Sequence, residues 1–130
     1  MEATIDTQKS SAFAGVGIIG GATNGFGAPL AGIGVSVKKD LVEVWKTVDG
    51  KTSVLAKGVM DISNKAKIRM VVKDGYKLDF EYFKDKKWQS LIDGVDASPY
   101  VPWGMGFRIG LCAKGNKDTF ANFRRIELIH

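Results

Sequence analysis

The sequence predicts an all-β fold, a single-domain antiparallel β-sandwich of the jelly-roll kind. Three observations predict it: short segments in which apolar and polar residues alternate, turn signals between them, and no segment with helical periodicity. A chain of 130 residues has room for one hydrophobic core. We expect residues 1–130 to form that one domain, as a fragment or C-terminal module of a longer protein.

The first third of the chain contains four segments of strand length. Residues 4–7 alternate in polarity, and 13–19 are a run of small and apolar residues. A loop rich in Gly, Ala and Asn follows over 20–29. Residues 31–37 alternate small with apolar side chains, which is typical of a strand whose backbone is approached closely on one face. A Lys-Lys-Asp turn then leads into a predicted strand over 41–48.

Two Asp-Gly pairs mark hairpins in the middle of the chain, at 49–50 and 74–75. Asp-Gly between apolar runs is a strong hairpin signal, because Gly accepts the positive φ of a type I′ turn. The first pair precedes a predicted strand at 52–56, and the second separates strands at 66–72 and 76–82.

The last third predicts three more strands. A lysine-rich turn precedes a strand at 88–92, and a long loop at 93–104 follows it. Strands at 105–113 and 119–129 complete a set of about ten.

Alternation assigns each predicted strand a core face and an outer face. Both Phe120 and Phe123 can face inward only if a bulge lies between them, which we expect. The predicted core is Val42, Val44, Ile68, Met70, Val72, Leu78, Phe80, Phe107, Ile109, Leu111, Phe120, Phe123 and Ile126. The predicted outward residues are Glu43, Trp45, Thr47, Arg69, Lys77, Asp79, Glu81 and Arg108.

The formal net charge of +5 and the pI near 9.4 raise the question of a nucleic-acid partner. The lysines, however, lie in apparent turns, and no helix-turn-helix, zinc-finger or RNP pattern is present in the sequence. We therefore expect no nucleic-acid partner. We expect no membrane partner either, because the longest apolar stretch, 13–22, is too short to span a bilayer and contains four glycines.

The sequence offers little for catalysis or metal binding. Cys112 is the single cysteine and His130 is the single histidine, so Cys–His and Ser–His–Asp arrangements are not expected. Asp93, Asp96 and Ser98 lie close together but lack the dense run of oxygen ligands that calcium prefers. We expect no enzymatic activity, no metal site and no cofactor.

Seven segments in a fixed order carry a family resemblance. They are Leu41-Val-Glu-Val-Trp-Lys, Asp49-Gly-Lys, Ile68-Arg-Met, Asp74-Gly-Tyr-Lys-Leu-Asp-Phe, Lys87-Trp-Gln-Ser-Leu, Pro102-Trp-Gly-Met-Gly-Phe-Arg-Ile-Gly-Leu and Phe120-Ala-Asn-Phe-Arg-Arg-Ile. This order resembles the concanavalin A-like modules at the C-terminus of family 43 glycosidases, the β-xylosidase C-terminal type. The resemblance covers about residues 13–128.

The resemblance implies a secreted, non-catalytic module that binds a glycan or supports a glycosidase domain in the same chain. It therefore implies an extracellular or periplasmic location. A glycosidase needs two carboxylates about 5 to 9 Å apart, and Asp79 with Glu81 is better explained as a solvated strand face. The alternative is a structural or protein-interaction sandwich without a small-molecule ligand.

Six residues are candidates for glycan binding. Trp45 points outward on its predicted strand, and Trp103 lies in the Pro-Trp-Gly sequence of a long loop, so both are candidate stacking platforms. The charged residues expected to pair with sugar hydroxyls are Glu43, Arg69, Asp79 and Arg108.

Overall fold

The computed structural model describes residues 1–20, 31–61, 65–100 and 108–129. Within these ranges the chain forms ten strands and one short 3₁₀ turn, Ser98–Tyr100. The strands are β1 (Glu2–Asp6), β2 (Phe13–Ile19), β3 (Ala31–Lys38), β4 (Leu41–Val48), β5 (Lys51–Val59), β6 (Lys65–Lys73), β7 (Lys77–Lys84), β8 (Lys87–Asp96), β9 (Arg108–Lys114) and β10 (Phe123–Glu127). No helix in the described part is long and apolar enough to cross a membrane.

The strands build two five-stranded antiparallel sheets that pack face to face. Sheet A has the order β10-β1-β6-β7-β8, and sheet B has the order β5-β4-β3-β2-β9. The predicted all-β, antiparallel sandwich is thus confirmed. The first and last strands pair inside sheet A, so the two ends of the sequence meet in one sheet.

Tight hairpin turns connect neighbouring strands, as the Asp-Gly pairs predicted. Asp49 and Gly50 have φ values of 51° and 75°, the sign that a type I′ turn requires at both central positions. Asp85 and Lys86 adopt φ values of 53° and 61° in the turn between β7 and β8 without a glycine. Strand β8 then runs through Asp96, well into the region where the sequence predicted a loop.

The core lies between the sheets and is filled by the residues that point inward, every second residue of a strand. Phe80 is the largest fully buried side chain in the described ranges. Sheet A contributes Ala3, Ile5, Ala66, Ile68, Met70, Leu78 and Phe80. Sheet B contributes Ala14, Val16, Ile18, Ile33, Val35, Val37, Val42 and Val44.

The predicted core was wrong at five positions, all of which are 40% or more exposed: Val72, Ile109, Leu111, Phe120 and Ile126. Strands β9 and β10 are edge strands of their sheets, so the facing sheet covers their inner side chains only partly. Phe120 precedes β10 and is not part of a strand, while Phe107 lies outside the described residues.

Phe123 does pack against the core, and a register irregularity adjoins it. Thr4 pairs with Arg125 whereas Ile5 pairs with Phe123, so Arg124 is the additional residue. The bulge therefore lies after Phe123, not between the two phenylalanines where we expected it.

Asp6 joins the end of β1 to the bulge of β10. Its carboxylate accepts hydrogen bonds from the Arg124 guanidinium at 2.6 and 3.0 Å and from the backbone N–H groups of Gln8 and Lys9. The Arg124 hydrogen bond is the main cause that holds the pKa of Asp6 below its ordinary value. This carboxylate thus closes the turn after β1 and ties it to the C-terminal strand.

We expect Phe80→Ala to destabilise the protein by about 3 to 5 kcal/mol, because it empties a fully buried site. The same substitution at Phe120, which is 60% exposed, should change stability by less than about 0.5 kcal/mol. Urea denaturation of the two variants measures both. Equal losses would contradict the assignment of Phe80 to the core and Phe120 to the surface.

We also expect the stabilising effect of Asp6 to depend on pH. A carboxyl whose pKa is lowered by folding stabilises the native state above its unfolded pKa of about 3.9, and this contribution disappears as pH falls through the folded value. Asp6→Asn should therefore melt below wild type at pH 7, and the difference should narrow below about pH 4. The exposed Asp118→Asn is the control. A difference that stays constant down to pH 2 would exclude this linkage.

Candidate functional site

The structure separates the candidate residues onto two opposite faces of the sandwich. Trp45 and Glu43 on β4 and Arg108 on β9 belong to sheet B, whereas Arg69 on β6 and Asp79 on β7 belong to sheet A. The core layer lies between the two groups, so they cannot contact one ligand together.

Trp103, the sixth candidate, lies outside the described residues.

A row of three glycines crosses the outer face of sheet B. Gly34 on β3 pairs with Gly17 on β2, and Gly17 pairs with Gly110 on β9. Trp45 is the next residue in the row, opposite Gly34. We call Gly34, Gly17 and Gly110 the glycine row; it leaves three adjacent strands without outward side chains at this level.

Close approach of β2 and β3 explains two members of this row. A Cβ at Gly34 would lie 2.5 Å from the carbonyl oxygen of Val16, and one at Gly17 would lie 2.7 Å from that of Ile33. Both distances are shorter than carbon and oxygen tolerate, so only glycine fits without a shift of the backbone. The predicted close approach to the 31–37 segment is thus present, and the neighbour is strand β2.

The indole of Trp45 lies across these glycines. A Cβ at Gly34 would be 2.7 Å from Cζ2 of the indole, and one at Gly32 would be 3.4 Å from Cζ3. The indole Nε1–H donates a 2.9 Å hydrogen bond to Oγ of Ser36. Trp45 is half-buried, so backbone packing and one hydrogen bond fix the ring while part of it remains exposed to solvent.

Polar groups surround Trp45 on the same face. The hydroxyls of Thr47 and Thr52 lie 2.8 Å apart and share one hydrogen bond. Glu43 points outward as predicted, but only 8% of its surface is exposed. Arg108 is exposed on β9, and its cross-strand partner on β2 is Ile19.

The two candidates on sheet A are engaged by other protein groups. Asp79 forms an ion pair with Lys73 and accepts a 2.8 Å hydrogen bond from the backbone N–H of Gly94. The Lys73 hydrogen bond is the main cause that lowers the pKa of Asp79. Arg69 pairs with Glu81 and, at 3.4 Å, with Glu2.

These contacts bear on acid–base chemistry at Asp79 and Glu81. Glycosidases need one carboxyl group with a raised pKa to act as the general acid. Asp79 has a lowered pKa, so it does not have the environment of such an acid, and Glu81 forms an ion pair with Arg69. Burial raises the pKa of the Cys112 thiol to about 11, which keeps it protonated and a poor nucleophile.

The oxygen ligands considered for calcium do not gather at one point. Asp93 accepts a hydrogen bond from the Ser90 hydroxyl, and Asp96 accepts one from the backbone N–H of Ser98. Among the described residues, no group of three or more His, Cys, Asp or Glu could hold a metal ion.

The chain matches no protein-family model, no curated protein and no solved structure. The resemblance to the C-terminal modules of family 43 glycosidases therefore stays a prediction from the sequence.

Sequence reasoning missed the two features that shape the faces. The glycine row follows from the register of three strands that are distant in sequence, although the small residues of 31–37 gave a partial signal. On sheet A, Phe83 and Trp88 meet across a hairpin with ring centroids 5.5 Å apart. Their positions on either side of the lysine turn could have indicated this pair.

We expect Gly34→Ala to destabilise the protein by about 1 to 3 kcal/mol, the usual cost of overpacking, because its methyl group would meet both Val16 and Trp45. The matched control is Gly110→Ala in the same row, where a Cβ would have nothing within 4 Å. Thermal or urea denaturation gives the comparison. A Gly110→Ala variant as unstable as Gly34→Ala would show that close strand approach is not the reason for the glycines.

Proposed function

We propose that this chain is a non-catalytic carbohydrate-binding module and that its binding face is the outer face of sheet B. The observation that carries the proposal is the partly exposed indole of Trp45, held over Gly34 and Gly17 by Ser36. A fixed aromatic surface offers contact area without the loss of side-chain freedom on binding. Sugar rings present apolar C–H faces that pack against such surfaces.

The glycine row supports a ligand that extends beyond Trp45. Gly17 is buried against the indole, but a Cβ at Gly110 would meet nothing within 4 Å, so a glycan could approach the backbone of β9 beside the indole. The distance from β4 to β9 is three strand spacings, about 14 Å. This length suits several linked sugar rings better than a single one.

Hydrogen-bonding groups lie at both ends of this surface. The exposed Thr52 hydroxyl, which hydrogen-bonds the buried Thr47, lies on the β5 side, and the exposed Arg108 lies on the β9 side. Glu43 lies two residues before Trp45 on β4 and has little exposed surface. Hydroxyls of an oligosaccharide could pair with Thr52 and Arg108 while its rings cover the indole and Gly110.

A structural or protein-interaction role is the second candidate, and a specific observation favours it. Apolar side chains at the edge strands are exposed. They are Ile109 and Leu111 on β9, Ile126 on β10 and Leu128 just after β10. Such a surface suits contact with a neighbouring domain. The proposal of a carbohydrate-binding module also includes a glycosidase domain in the same chain and an extracellular or periplasmic location.

The test is titration with xylan, arabinan and glucan oligosaccharides, followed through the backbone amide resonances of sheet B in the ¹⁵N-labelled protein. We expect dissociation constants between about micromolar and millimolar, because one shallow platform must offset the entropy of association. Trp45→Ala should weaken binding by about tenfold or more, which corresponds to about 1.4 kcal/mol. Trp88→Ala, on the opposite face, is the matched control and should bind as wild type does.

Circular dichroism must show that both variants fold. No response to any of the three glycans at millimolar concentration would reject glycan binding and favour the interaction module. Equal losses in the two tryptophan variants would reject sheet B as the binding face.

A further inference from the structure

The outer face of sheet A contains a cleft that none of the five described candidate residues lines. Its volume is about 190 Å³, and Thr4, Lys67, Phe83, Trp88 and Arg125 are among its lining residues. These residues are on all five strands of sheet A, β10, β1, β6, β7 and β8. We call it the aromatic cleft. Pockets for drug-sized ligands are larger, about 300 to 1,000 Å³, so this one suits a single ring.

Two aromatic rings form one wall of the aromatic cleft. Phe83 and Trp88 are cross-strand partners, with ring centroids 5.5 Å apart and planes 74° apart. The Arg69 guanidinium carbon lies 4.2 Å from the Trp88 ring centroid. Since Glu81 and Glu2 both pair with Arg69, the guanidinium is fixed and in turn fixes the indole. The wall is therefore rigid before any ligand binds.

Among the described residues that line the aromatic cleft, one basic side chain has no ion pair with a carboxylate. The carboxylate of Glu2 pairs with Arg69, and that of Glu127 pairs with Arg125. Lys67 points its ammonium at the Phe83 ring, 5.2 Å from the centroid. No carboxylate of the described residues lies within ion-pair distance of Lys67. An anionic group could thus pair with Lys67 without displacing an existing ion pair.

We propose that the aromatic cleft binds one carboxylated sugar ring, a hexuronate residue. Its carboxylate pairs with Lys67 and accepts a hydrogen bond from the Thr4 hydroxyl, the direct neighbour of Lys67 across β1 and β6. Its C–H groups contact the parts of Phe83 and Trp88 that line the cleft. This site is on the face opposite Trp45 and does not depend on glycan binding there.

The carboxylates of Glu2 and Glu127 decide between a sugar acid and a simpler anion. Both line the aromatic cleft, where they disfavour a ligand that is only an anion or only apolar. Each carboxylate pairs with one arginine, and covering its remaining acceptor sites without a hydrogen-bond donor would cost desolvation energy. The hydroxyl groups of a hexuronate are such donors. A ligand with one carboxylate, several hydroxyls and an apolar ring face satisfies all parts of the lining.

The experiment compares glucuronate with glucose, titrated into the ¹⁵N-labelled protein while the Trp88 indole resonance is followed. We expect saturable shifts of this resonance with glucuronate and none with glucose at equal concentration. Lys67→Gln should weaken glucuronate binding by about tenfold or more, the ratio that loss of one charged hydrogen bond gives. Lys117→Gln carries the same charge change on an exposed turn outside the cleft and should bind as wild type does.

Three results would overturn the proposal. The first is equal binding of glucose and glucuronate, and the second is unchanged affinity in a folded Lys67→Gln variant. The third is an equal response to sodium acetate, which would make the cleft a general anion site. Thr4→Val should also reduce affinity, and it provides a second variant if Lys67→Gln does not fold. Because the neutral oligosaccharides are monitored on sheet B and glucuronate at Trp88 on sheet A, failure here is distinguishable from failure of the proposed function.

Discussion

The apolar layer between the two sheets is the constraint on which the rest of the structure depends. Every second residue of a strand turns toward this core and the others turn to the outer face of the sheet, where the middle residues of β2 and β3 are buried as well. All polar chemistry is thereby placed on two outer faces that the core separates. Trp45 and Arg69 are thus parts of different surfaces, although sequence alternation assigns both the same outward direction.

Sheet B shows how one packing requirement produces both a fold and a possible binding surface. Strands β2 and β3 approach so closely that their outward positions must be glycine at Gly17 and Gly34. The absence of side chains there would leave backbone exposed, and the indole of Trp45 covers part of it. Trp45 therefore has a structural role whatever it binds, and any loss of ligand affinity must be judged against loss of stability.

Sheet A achieves its order by a different route, through paired charges. Arg69 holds two carboxylates and one indole, and Arg124 holds Asp6 across 118 positions of sequence. Ion pairs at a surface contribute little to stability by themselves. Their effect here is to fix side-chain positions, which makes the aromatic cleft rigid and closes the first strand onto the last.

The sequence by itself determined the strand pattern, the hairpin turns and the central core, because period-two alternation and Asp-Gly turns are local properties. It correctly placed Phe80 inside and Trp45 outside. Only the tertiary structure decided which strands share a sheet, since that depends on pairing between distant segments such as β1 with β10. The strand order of the two sheets left Ile109, Leu111 and Ile126 on edge strands that are only partly covered. It also separated Asp79 from Trp45 and brought Lys67 beside Phe83.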